Sequence, residues 1–132
     1  MEVDSINHPS MSNYQEHTLQ EISQKVYHAL ESVFLDKEQL KENLKKLAGY
    51  CHIDELFRLE RGRYIRWVSY KKGIPFMTNG GIVLDMKFTD TGTHILCKTN
   101  NARLLQVKFD SSVIFQQLSY DEKLILTANG LL

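Results

Sequence analysis

"GIVLDMKFTDTGTHILCKTNNARLLQVKF", residues 81–109, is the stretch from which the fold is read. In its first part Ile82, Leu84, Met86 and Phe88 alternate with Val83, Asp85 and Lys87. A period of two predicts a strand with one buried face, here the face carrying the first set. "TDTG" at 89–92 is a tight turn, and "THILCKT" and "ARLLQVKF" are two further strands. "NN" at 100–101 links them, because Asn tolerates the positive φ that a hairpin requires. Residues 81–109 are thus an antiparallel meander.

Upstream, "RYIRWVSY" at 63–70 is β-rich and precedes a "KKG" turn, and "NGG" at 79–81 is a hairpin turn. Downstream, "VIFQQ" at 113–117 is a last short strand. Ser119 and Glu122 form a capping box that opens the helix "YDEKLILTA", which Asn129-Gly130 stops. Before the strands the period is helical. Leu19, Ile22, Val26, Leu30 and Val33 recur at spacings of three and four, with Gln20, Glu21, Gln24 and Lys25 mostly opposite. Asp36 caps a second helix with Gln39 at its third position, Leu40, Leu44 and Leu47 line one side, and Gly49 ends it. Residues 53–60 are a bridge of one or two helical turns, and the polar residues 1–13, with Pro9, are expected to be a mobile arm.

The expected fold class is therefore α+β: a helical hairpin over 14–49, then over 50–132 a small antiparallel β-barrel of the SH3 or Tudor kind with a short C-terminal helix. Barrel closure is expected because it removes exposed strand edges. A five-stranded open sheet is the alternative. At 132 residues the whole is one domain by length, able to bury a core without metal or disulfide support.

The chain carries 16 basic and 16 acidic side chains, a balance that argues against a dedicated non-specific nucleic-acid binder. The charge is uneven, though. Residues 1–50 hold five Lys against eight acids, and residues 51–100 hold eight basic groups against five acids. The N-terminal twenty residues are polar and acidic, unlike a secretory or mitochondrial leader. No run approaches the roughly 18 apolar residues of a membrane span. A cytoplasmic or virion location, no secretion and no membrane partner are the expectation, with Cys51 and Cys97 as free thiols.

Catalytic constellations are missing. Cys51-His52 and His94-x-x-Cys97 offer two thiols and two imidazoles, but adjacent Cys-His chelates one ion poorly, and three residues along a strand put His94 and Cys97 on opposite faces. No phosphate loop, nucleophile elbow, zinc-protease or dinucleotide motif occurs. No enzyme activity, cofactor, metal or small-molecule substrate is expected.

What remains is "RLERGRYIRWVSYKK", residues 58–72, with six basic side chains, one acid and three aromatics. Alternation places Arg63, Ile65, Trp67 and Ser69 on one face and Tyr64, Arg66, Val68 and Tyr70 on the other. With Ile65 and Trp67 in the core, the candidate contact residues are Arg58, Arg61, Arg63, Tyr64, Arg66, Tyr70, Lys71 and Lys72. Arg beside aromatics can stack on bases while pairing with phosphates, and the same residues dominate protein–protein contacts. The plain alternative is a half-buried strand whose Arg stems cover apolar surface.

Gly62, Tyr64, Ile65, Arg66 and Trp67, followed by Gly80-Gly81, make a G-x-Y-I-R-W … G-G pattern over about thirty residues, 59–88. This pattern resembles small β-barrel proteins encoded by large double-stranded DNA viruses. The resemblance implies a virion or assembly component without enzymatic activity, in a cytoplasmic factory or particle. The leading expectation is a non-catalytic scaffolding protein whose partners are proteins, itself or capsid and assembly components. A nucleic-acid-binding barrel using residues 58–72 is the alternative.

Overall fold

The computed structural model describes residues 17–131; the expected arm at 1–13 lies outside them. Two helices come first, α1 (Leu19–Glu31) and α2 (Lys37–Lys46). The strands follow: β1 (Tyr50–Ile53), β2 (Tyr64–Ser69), β3 (Phe76–Met77), β4 (Gly81–Thr89), β5 (Gly92–Lys98), β6 (Leu104–Lys108) and β7 (Val113–Gln117). Short 3₁₀ turns at Leu56–Arg58 and Phe109–Ser111 bridge β1 to β2 and β6 to β7, and α3 (Tyr120–Gly130) ends the chain.

Capping chemistry sets the helix boundaries. Thr18 accepts from the Glu21 backbone N–H, and the Glu21 carboxylate accepts from the Thr18 N–H, a box that starts α1 at Leu19. Asp36 accepts from Gln39 N–H at 3.2 Å to open α2. Ser119 and Glu122 form the expected box before α3, which ends at Gly130.

All strand pairings are antiparallel, in the order β1-β7-β2-β4-β5-β6, with β3 paired to the end of β2. No pairing among the described residues joins β1 to β6. The ladder is an open sheet of seven strands, where a closed barrel of four to six was expected. The reason lies in β2 and β4, which pair only at Tyr64–Ile82 and Ile65–Gly81 before separating. Beyond that point β3 and Thr78 occupy the β2 edge instead: Thr78 donates its N–H to Trp67 O, and Thr78 Oγ1 accepts from Trp67 N–H.

The sheet has two unlike faces. On the inner face Ile53, Ile65, Trp67, Val83, Ile95, Cys97, Val107 and Ile114 from six strands meet one another with Leu59, Leu118 and Leu126. Residues from both ends of the ladder share this one cluster, so the sheet is curled. On the outer face α1, the loop after it and the C-cap of α2 lay Val26, Leu30, Phe34 and Leu47 over Val68, Met77 and Phe115. Each side chain buried this fully contributes roughly 2 kcal/mol.

Two local expectations are corrected. A bulge between Val83 and Asp85 shifts the phase of β4, so Val83 and Met86 face the core while Ile82 and Leu84 point outward. Phe88 lies beyond the core edge, 74% exposed. Alternation alone cannot register an inserted residue. In the β5–β6 turn the positive φ belongs to Ala102, at 63°, not to Asn100 or Asn101.

Candidate functional site

The basic run divides among several environments. Arg63, only 17% exposed, is internal: Nη1 donates to Glu122 Oε1 at 2.9 Å and to Gln117 O at 3.0 Å, and Nη2 lies 3.3 Å from Glu60 Oε2. Burial acts to lower its pKa, but the Glu122 hydrogen bond and charge, helped by Glu60, outweigh it and raise it. Arg61 is exposed and donates from Nε and Nη2 to Asp85 Oδ1 at 3.2 and 2.9 Å. That hydrogen bond, with one from Met86 N–H, holds the Asp85 carboxyl below the usual range. Arg58 sits over the Phe57 ring and lines a separate hollow between α1 and β1 with Lys25, His28 and His52. Lys72 lies over the Phe76 ring at 4.7 Å.

Tyr64, Arg66, Tyr70 and Lys71 do converge. Where β2 leaves β4, a depression of about 640 Å³ is lined by Tyr64, Arg66, Trp67, Thr78, Asn79 and Gly80 on one side and by Thr99, Asn100, Asn101, Arg103 and Leu105 on the other. A second, of about 430 Å³, lies between Trp67–Lys71 and Leu105–Lys108, with Ser111 and Ser112 at its end. The two share Trp67 and Leu105 and form one groove along the unclosed seam of the sheet. Its walls carry Arg66, Arg103, Lys71 and Lys108, three aromatic side chains and, among the described residues, no carboxylate.

The groove's shape is fixed by the backbone. Arg66 Nε donates to Thr78 O at 3.0 Å and Tyr64 Oη to Asn79 O at 2.6 Å, holding both side chains against the 78–80 turn. Gly80 takes φ +86°, and a Cβ there would overlap the Ile65 carbonyl oxygen. Only glycine permits this close approach. Trp67, 8% exposed, forms the floor with Leu105. The polar wall is neutral amide and hydroxyl, able to donate to and accept from a ligand.

Sequence reasoning missed half of this site. Arg103, Lys108 and the Asn79, Asn100 and Asn101 amides lie on other strands and turns, brought in by the curl of the sheet. No charge excess pointed to the two cations, since residues 101–132 hold three basic and three acidic side chains.

Elsewhere, Cys97 is wholly buried with Ile95 in the core, and burial pushes its thiol up to about 12. His94 is on the opposite face, paired across to Lys87 and Lys108. Among the described residues no three His, Cys, Asp or Glu side chains gather in a way that could hold a metal ion, and no helix is long and apolar enough to cross a membrane. No protein-family profile matches the chain, and neither the curated proteins nor the solved structures include one significantly similar to it.

Proposed function

We propose that the chain is a non-catalytic module that binds single-stranded nucleic acid along the seam groove. The observation that carries this is the sign of the groove: four cationic and three aromatic side chains, with no carboxylate, on a protein of zero net charge. Neutrality of the whole no longer counts against the reading, because the acids lie elsewhere or, like Asp85, Glu60 and Glu122, pair with Arg61 and Arg63. Phosphates would track Arg66, Arg103, Lys71 and Lys108 while bases stack against Tyr64, Tyr70 and the exposed edge of Trp67. A single strand suits the groove because its bases are free to turn toward the aromatics. In this reading the curled sheet is an incompletely closed relative of the SH3- or Tudor-like barrel, with the ligand lying where closure would occur. The G-x-Y-I-R-W … G-G resemblance fits such a module in a large DNA virus particle.

Trp67 is the only tryptophan, so its emission reports directly on the groove floor. Titration with single-stranded oligonucleotides is expected to quench it saturably in the micromolar range, and duplex of the same sequence to quench it less. Unchanged emission together with unchanged oligonucleotide anisotropy at low salt overturns the proposal.

A further inference from the structure

Independently of the groove, we infer that the outer face of β4, β5 and β6 is a docking surface for an acidic, amphipathic helix of a partner protein. The register places Ile82, Lys98 and Leu104 side by side across the three strands, and Leu96 and Gln106 in the next row. Leu84 stands beside them at the bulge. Ile82 is 41% exposed, Leu84 39% and Leu104 62%, with Leu96 half-buried between them. Single exposed aliphatics are ordinary on a protein surface, but four adjoining ones on the face of a sheet form a patch.

Two observations choose the occupant. The first is continuity. This is the same face that α1 and α2 cover over β1, β7 and β2, where Val68 and Phe115 lie under Val26, Leu30 and Phe34. The helical layer stops at β2 and the apolar face continues, so the missing element of the layer is another helix. The second is charge. Lys87 and His94 are directly opposite one another in the row bordering the patch, and Lys98 stands within it. Of the carboxylates beside these strands, Asp85 is taken by Arg61 at 2.9 Å and Asp110 accepts from the Thr93 N–H at 3.3 Å. An apolar centre with a basic border complements a Leu-rich stripe flanked by Glu or Asp, and like-charged neighbours repel a basic partner. Nucleic acid fits less well here, since aliphatic side chains offer bases no aromatic plane to stack on.

The probe is a fluorescein-labelled synthetic peptide of about 18 residues, five helical turns, with a Leu stripe flanked by Glu, compared with a twin in which every Glu is Lys. Binding of the Glu peptide with a dissociation constant on the order of 10 µM is expected, at least tenfold weaker for the Lys twin. NMR shift changes are expected at the methyls of Ile82, Leu84, Leu96 and Leu104. Leu84→Glu should weaken the peptide at least tenfold and leave oligonucleotide binding unchanged, which separates this inference from the groove reading. Leu104→Glu, at the most exposed of the four positions, serves as the second variant should the first disturb folding. No binding of the Glu peptide, equal binding of the Lys twin, or shifts confined to other methyls overturns the inference. So does self-association in sedimentation equilibrium that Leu84→Glu abolishes, which would make the occupant a second copy of the chain. Oligonucleotides shifting the methyls of Leu84 and Leu96, the two farther from the groove, would overturn it too.

Discussion

Arg63 Nη1 donates to Glu122 Oε1 at 2.9 Å, tying the start of β2 to the capping box of α3. The Glu122 side chain is 1% exposed and the same oxygen accepts from Ser119 N–H at 2.8 Å, so one carboxylate serves both the helix and the sheet. Three residues further on, Arg66 donates from Nε to Thr78 O and lines the groove. Two neighbouring arginines of one run therefore do different work, one in the fold and one at the site.

Glu122→Ala leaves Arg63 in a half-buried site without its main partner and removes a helix cap. A loss of about 3 kcal/mol is expected, read as a lower urea midpoint at unchanged slope. Oligonucleotide affinity per folded molecule should not change, since neither residue lines the groove.

Gly80→Ala and Gly73→Ala separate conformation from crowding. Both glycines have positive φ, +86° and +85°, but a Cβ at Gly73 meets open space whereas at Gly80 it overlaps backbone. Gly73→Ala is expected to cost about 1 kcal/mol. Gly80→Ala should cost at least about 3 kcal/mol, the strain plus displacement of the turn, and should weaken nucleic-acid binding because residues 78–80 form a groove wall. Chemical denaturation and titration of both variants provide the comparison.

Burial lowers the pKa of His52, whose ring packs 5.5 Å from that of Phe115, below its ordinary 6.5. The folded state then binds the proton less readily than the unfolded chain. Its contribution to stability is full above pH 6.5 and is lost as the pH falls below that value toward the folded midpoint. An imidazole NMR titration should place the His52 midpoint below 6.5. His52→Phe should flatten the decline in thermal midpoint between about pH 7.5 and 5.5; an unaltered decline would remove His52 as its source.

Cys97, with its thiol pushed up to about 12 by burial, is expected to alkylate at pH 8 on the order of 1000-fold more slowly in the native protein than in urea. Because the folded pKa is raised, stability is complete below the unfolded thiol value and declines as pH rises above roughly 9. Mass spectrometry after timed iodoacetamide treatment reads the rate.

The helices and the class were legible in the sequence because their signals are local. Asp36 and Ser119 cap where their spacing to Gln39 and Glu122 indicates, and Ile65 and Trp67 enter the core as alternation requires. The phase of β4 was not legible, since the extra residue at Leu84 breaks a period that sequence alone reads as unbroken. Closure was not legible either. Whether β2 stays with β4 or turns to β3 depends on Thr78 and Gly80 packing against Trp67 and Ile65, contacts between segments eleven or more residues apart. The site suffered most from this, because Arg103 and Lys108 reach Arg66 and Lys71 only through that departure from closure.

The most direct test reverses one charge inside the groove and one outside it. Arg103→Glu and Arg61→Glu change the net charge equally, yet only Arg103 lines the groove while Arg61 pairs with exposed Asp85. Anisotropy of a labelled single-stranded oligonucleotide should give a slope of log affinity against log salt of roughly −3 for four phosphate contacts. Arg103→Glu should weaken binding about tenfold and make that slope shallower by at least about 0.7, while Arg61→Glu changes affinity less than about twofold. Equal losses in the two variants, or a slope that neither alters, would contradict the groove as the binding site.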